Sequence, residues 1–202
     1  MHISVALHQT KNEAFRWRDQ ASLPWKITLA ASMAGVVGLL AQLRIAFPFT
    51  PVPVTGQTFG VLMAGVLLGR KWGGASLALY GVLGIAGVPW FTGATSGLTA
   101  TAGYLIGFIF ASLFLGYFLG KIPNGRNYNR VFGLMLFATL VLVYIPGLAW
   151  LGIWLNLVKG TPASFMSIIS LGAVPFIAGD ILKTGMAAAM AVKILPKKSL
   201  PG

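Results

Sequence analysis

Cysteine is absent from the 202 residues, which excludes disulfides, thiolate metal sites and thiol nucleophiles. Histidine is nearly absent: His2 and His8 both lie in a polar N-terminal stretch, so an imidazole-based metal site or catalytic triad in the body of the chain is excluded too. There are only three acidic residues, Glu13, Asp19 and Asp180, against 15 lysines and arginines. Charged residues of both signs make up 9% of the chain, where a soluble domain carries about 25%. A phosphate-cradling G-x-x-x-x-G-K-[ST] loop is also missing; the nearest approach, Gly116–Lys121, is one residue short and lacks the hydroxyl. With no such loop and no soluble domain to hold a nucleotide, the chain is not expected to hydrolyse ATP. An ATP-driven motor, if there is one, belongs to another polypeptide. No metal, cofactor or catalytic residue is expected.

What the sequence does contain is apolar. Hydrophobic residues make up 56% and the mean hydropathy is +0.81, so the expected class is an all-α membrane protein, multi-pass in the cell membrane. The net charge of +12 does not point to nucleic acid, because the cations fall in short clusters between apolar runs, the pattern that encodes membrane topology.

About 20 apolar residues make one membrane crossing, and six such segments are expected in a compact bundle: roughly 25–47, 55–69, 72–90, 101–120, 131–157 and 168–195. Pro24 suits the first turn of the first span, Pro48, Pro51 and Pro53 force a non-helical loop after it, and Pro146 predicts a kink in the fifth. Residues 1–24 read as a cytoplasmic tail, either an interfacial helix around Phe15–Trp17 or an unstructured end, with no cleaved signal peptide. Residues 25–196 form the six-helix domain and 197–202 a basic C-terminal tail.

Placing both termini in the cytoplasm assigns that side Lys11, Arg16, Arg18, Lys26, Arg70, Lys71, Lys121, Arg126, Arg130, Lys193, Lys197 and Lys198. Arg44 and Lys159 fall on the other side, and Lys183 stays inside the membrane. So uneven a split satisfies the positive-inside rule. Glycines recur at spacings of four (Gly56/Gly60, Gly65/Gly69, Gly103/Gly107, Gly116/Gly120), where small residues let helix backbones approach closely. Ala30, Ala34 and Gly38 make a similar stripe on the first span. It reads either as packing within the chain or as a docking face for another membrane subunit.

Asp180 is the one carboxylate in the membrane body. A charge at mid-span costs about 2.5–3.5 kcal/mol on insertion scales, so it needs a reason to be there. Lys183 follows three residues later and shares its helix face. Counted from the start of the sixth span, Asp180 lies roughly 12–18 Å deep. Two readings stand. The residues form a structural ion pair, although desolvation makes such pairs poor value for stability. Or they anchor a ligand, the carboxylate accepting from N–H groups and the ammonium attracting a carbonyl or carboxylate. Further pocket candidates are Thr95 and Ser96 in the glycine- and threonine-rich loop 91–100, Gln57 and Tyr104 at span starts, and the aromatic Trp90, with Trp150 and Trp154 as either cavity walls or interface anchors.

Five stretches in order resemble the BioY family, the biotin-binding S components of energy-coupling-factor (ECF) vitamin transporters. They are FPFTPVPVTGQ (Phe47–Gln57) followed by VLMAGVLLG (Val61–Gly69), GVLGIAGVPWF (Gly81–Phe91), GYLIGF (Gly103–Phe108) and VPFIAGDILK (Val174–Lys183). The resemblance implies biotin uptake by a six-helix S component that is not an enzyme, with Asp180 and Lys183 as paired biotin ligands and the proline-rich loop as part of a lid. It gives Ala30, Ala34 and Gly38 the role of docking on a transmembrane coupling subunit that works with ATPase subunits; a homo-oligomer is the alternative assembly. One departure concerns the loop after the third span, where many members carry an asparagine and this chain has Thr95 and Ser96. The alternatives are an S component for another small vitamin, and an intramembrane scaffold or enzyme with a structural Asp180–Lys183 pair.

Overall fold

The computed structural model describes residues 13–121 and 127–195. His2, His8, Lys11, Arg126, Lys197 and Lys198, together with the predicted C-terminal tail 197–202, lie outside the described residues.

The described residues are mostly helical, with one two-stranded hairpin among them. Helix α1 covers residues 13–20, so this part of the predicted tail is structured: Phe15 is buried, and Arg18 reaches the bundle by donating Nη1–H to the Leu67 carbonyl at 3.0 Å. Helix α2, Leu23–Gln42, starts after Ser22 with Pro24 in its first turn, where the missing N–H costs no hydrogen bond. It ends five residues before the predicted boundary, because Arg44–Ile45 (β1) pairs antiparallel with Val54–Thr55 (β2), Arg44 opposite Thr55. The three prolines occupy the loop between the strands, where no ladder donor is needed.

Gln57–Ile85 is continuous helix (α3) except at Gly69, whose φ of 73° and ψ of −173° are non-helical. The chain reverses there. Gln57 Nε2–H donates to the Tyr80 hydroxyl at 2.8 Å, although 23 residues of straight helix would separate them by about 35 Å. A Cβ at Gly73 would likewise meet the Ala64 carbonyl. The second and third expected spans are thus two short antiparallel arms hinged at one glycine. Gly69 is a reversal point, then, and not the helix-packing residue its four-residue spacing suggested. Its backbone geometry is essentially confined to glycine and costs any other residue about 1–3 kcal/mol, so Gly69→Ala should lower thermal stability in detergent by that amount.

Helix α4, Ala102–Lys121, lies within one residue of expectation. The fifth segment, Tyr128–Val158, is one helical run made of α5 (Tyr128–Phe137), a π-helical turn (Ala138–Val143), α6 (Tyr144–Ile153) and a second π turn (Trp154–Val158). Pro146 is the third residue of α6, and the first π turn, a distortion of the kind expected in this span, ends three residues before it at Val143. The predicted sixth span is in fact two helices, α7 (Phe165–Gly172) and α8 (Val174–Ile194), which break at Ala173, with Pro175 in the first turn of α8. Asp180 therefore stands only six residues, about 9 Å, from the start of its helix.

Among the described residues four helices are long and apolar enough to cross a membrane: Leu23–Gln42, Ala102–Lys121, Tyr128–Val158 and Val174–Ile194. The core forms where α3 packs on α4, with α2 on one flank and α5, α6 and α8 on the other. Gly103 and Gly107 bring α4 against the backbone around Pro146 and Val143, and Gly116 brings it against the Gly69–Arg70 reversal; Gly120 faces open space. The stripe on α2 also faces inward. Ala30 and Ala34 are buried, and Gly38 packs against Trp90. Of the two readings of the stripe, its burial here fits packing within the chain, where all three residues are covered.

Candidate functional site

Asp180 sits on the inner face of α8 with 4% of its surface exposed, too deep to be hydrated as a free carboxylate, so its oxygens must find donors inside the protein. They do. Oδ1 accepts from Thr58 Oγ1 at 3.1 Å and lies 2.5 Å from Lys183 Nζ, while Oδ2 accepts from the Tyr144 hydroxyl at 2.5 Å. Three elements meet on one carboxylate: the first arm of α3, the start of α6 and α8 itself. Lys183 also donates to the Thr55 carbonyl at 2.8 Å, which ties α8 to β2.

The pair borders a cavity of about 60 Å³. Gln57 and Tyr104 both line it. Gln57 Oε1 accepts from Thr55 at 3.0 Å and Thr92 at 3.3 Å. The Tyr104 hydroxyl donates to the Gly172 carbonyl at 2.7 Å, and its ring stands edge-on to Tyr144. The apolar wall is Leu105, Phe108, Val143 and Phe176, closed from above by Val52–Val54 of the proline loop. Thr50 holds that loop to the end of α7, donating Oγ1–H to the Leu171 carbonyl at 2.6 Å.

Several candidates from the sequence fall elsewhere. Thr95 and Ser96 are exposed and do not line the cavity. Positive φ values at Gly93, Ala94 and Gly97 coil the loop back on itself, and it presents Thr92 in their place. Trp90 packs on Tyr80 and on α2, donating Nε1–H to the Tyr80 carbonyl at 3.0 Å. Trp150 donates to the Thr99 carbonyl, and Trp154 lies beneath Lys159; neither is a cavity wall.

Thr92 belongs to the loop expected to supply hydroxyls, whereas Thr55, Thr58 and Tyr144 were not expected at the site. Tyr144 carried a usable signal, since a phenolic hydroxyl within an apolar run needs a buried partner. Thr55 and Thr58 carried none, because what brings them in is the fold. Among the described residues no cluster of His, Cys, Asp and Glu suits a metal ion. The site therefore offers one carboxylate, one ammonium, an amide, hydroxyls and an apolar wall, the equipment of a binding site for a small, partly polar molecule.

The chain's relatives are consistent in kind. A family model described as "BioY family" matches residues 11–199. The chain is 46% identical over 140 residues to a "Probable biotin transporter BioY" of Methanothermobacter thermautotrophicus, covering 67% of this chain and 89% of that one. It is 31% identical to a "Biotin transporter BioY" of Rhizobium etli, covering 80% and 88%. Among solved structures, the S-component for biotin from an ECF-type ABC transporter superposes with a TM-score of 0.71 at 30% identity, over 82% of this chain and 88% of the other. A family match over nearly the whole length, relatives aligned along most of theirs and a shared fold agree: this chain belongs to the BioY family.

Proposed function

We propose that the chain binds biotin in the Asp180–Lys183 cavity and serves biotin uptake as the substrate-binding S component of an ECF-type transporter. The observation that carries this reading is the buried carboxylate of Asp180, paired with an ammonium and set beside an apolar wall. Biotin presents complementary chemistry: two ureido N–H donors for the carboxylate, a carbonyl and a valerate carboxylate for the ammonium, and an apolar thiophane ring for Phe108 and Phe176. Hydrogen bonds to a charged partner contribute about 1.5–3 kcal/mol each, enough to fix the bicycle's orientation.

A cavity of about 60 Å³ has room for roughly two waters at about 30 Å³ each, so biotin entry requires the walls to part. The segment placed to move is the loop between β1 and β2, held by the Thr50–Leu171 contact and by Val52. It acts as a lid.

Residues 25–196 form the substrate-binding domain. The chain crosses the membrane six times, the two arms of α3 counting as two crossings, with both termini in the cytoplasm. The cation distribution supports that orientation: the Gly69 reversal with Arg70 and Lys71 lies at one end of the bundle, and the Asp180 cavity lies at the other. A transmembrane coupling subunit and ATPase subunits supply the energy, since this chain has no nucleotide-binding loop.

Tritiated biotin added to the purified protein in detergent should bind saturably, one molecule per chain, with submicromolar affinity. Failure to bind tighter than micromolar would sink the assignment. Competition by a panel of other water-soluble vitamins separates a biotin site from one for a different vitamin.

A further inference from the structure

At the end of α4 opposite Tyr104 the bundle opens into a second cavity, of about 820 Å³. Five cations line it, drawn from four elements: Arg18 of α1, Lys26 of α2, Arg70 and Lys71 at the α3 reversal, and Lys121 at the end of α4. The one carboxylate on its wall, Asp19, has its charge matched by Arg18, which holds Oδ1 through Nε at 2.7 Å and Nη2 at 2.5 Å, while its Oδ2 has no hydrogen-bond partner. The other two acidic side chains of the whole sequence are Asp180, in the first cavity, and Glu13, exposed on α1. No Asp or Glu therefore remains to balance Lys26, Arg70, Lys71 and Lys121.

Four of the five cations are also held in place, Arg18 by its contacts with Asp19 and Leu67. Lys26 Nζ donates to the Asp19 carbonyl at 2.9 Å. The Tyr117 ring lies between Arg70, 5.1 Å from its centroid, and Lys121, 4.1 Å from it. Lys121 also donates to the Tyr117 hydroxyl at 2.5 Å. Membrane topology explains why cations gather at this end of the bundle. It does not explain why five converge on one concavity while Arg130, at the same end, stays outside it.

The geometry points to a phosphate site that takes the headgroup phosphodiester of an anionic phospholipid. Lipid is favoured over a free anion because the same wall carries Leu29, Leu68, Trp72 and Leu195 beside the cations, an amphiphilic lining for an amphiphilic ligand. The cavity also lies at an end of the bundle, bordered by Lys121, the last residue of α4.

The test uses the full chain in neutral maltoside detergent, titrated in parallel with dihexanoyl phosphatidylglycerol, dihexanoyl phosphatidylcholine and inorganic phosphate. Thermal unfolding and native mass spectrometry are the readouts. Phosphatidylglycerol should raise Tm saturably and add one bound lipid; phosphatidylcholine should do neither. Each cation at a membrane surface contributes roughly a fivefold factor, so Arg70→Gln/Lys121→Gln should weaken phosphatidylglycerol binding about 25-fold, and Arg130→Gln less than twofold. Unchanged Tm of the lipid-free variants separates lost binding from lost fold, and Lys71→Gln alone, at an exposed position, provides a roughly fivefold comparison if the double variant unfolds. Equal binding of the two lipids, or equal weakening by Arg130→Gln, overturns the site. A full Tm shift with inorganic phosphate overturns the lipid and assigns the cavity to a soluble phosphate.

Discussion

Asp180→Asn should weaken biotin binding by a hundred- to a thousandfold while leaving the protein folded, and Asp180→Asn/Lys183→Met should not restore it. Asparagine keeps the shape of aspartate but loses the charge that two ureido N–H groups would share, and charge-assisted bonds contribute about 1.5–3 kcal/mol each. Locally the amide is tolerated. Its oxygen must face Lys183, which can only donate, so its NH₂ faces Tyr144, whose hydroxyl reorients to accept. The ammonium then lacks its counter-charge but keeps the amide oxygen and the Thr55 carbonyl as acceptors, a moderate loss of stability.

Lys183→Met alone is more damaging, because it strands a buried carboxylate at a cost of about 3–5 kcal/mol. The double variant removes both charges at nearly constant volume, a change that is often neutral or stabilising, so its Tm should return to near the parent value. Stability and affinity thus part company. Were the pair purely structural, the double variant would recover biotin binding along with its Tm, and the ligand reading would fail.

The sequence disclosed most about features written in single stretches. The apolar run of α4 gave its limits to within one residue, because nothing within the run interrupts the helical pattern. The three prolines excluded helix from the loop after α2. The two-residue pairing of Arg44–Ile45 with Val54–Thr55 was hidden, since its register depends on where the loop lands against α8. Pro175 marked a helix start that the sequence reading ran through; its place in the first turn of α8 is a standard initiation signal. The Asp180–Lys183 pair was legible because residues three apart share a helix face. Thr58 and Tyr144 were not, being 122 and 36 positions from Asp180 and united with it only by packing. The choice of Thr92 over Thr95 and Ser96 was set by positive φ angles in the loop, which composition does not encode. For Ala30, Ala34 and Gly38, small size announced a close contact without naming the other surface, and that surface is the chain's own.

Packing and site meet at Gly107, where one methyl group should do what most surface substitutions cannot. A Cβ there would lie 2.6 Å from Val143 Cα, 2.7 Å from the Leu142 oxygen and 2.8 Å from the Val143 oxygen. Carbon atoms prefer separations of about 3.5–4.0 Å, and all three obstacles are backbone, which cannot step aside by changing rotamer. Against this, alanine in a helix interior gains about 1 kcal/mol over glycine in propensity. The overlap wins: overpacking of a well-filled interior costs about 1–3 kcal/mol, and a backbone-on-backbone clash belongs at the upper end. Gly107→Ala should therefore lower Tm clearly. Gly133→Ala, where a Cβ meets nothing within 4 Å, collects only the propensity gain and should leave Tm unchanged or raise it. The displaced segment is the π turn that delivers Tyr144 to Asp180, so Gly107→Ala should also weaken biotin binding, by tenfold or more, although residue 107 does not border the cavity. Thermal unfolding and biotin titration of the two alanine variants side by side decide the matter. If Gly107→Ala behaves like Gly133→Ala in both, then close contact between α4 and the π turn is not what holds Tyr144 against Asp180.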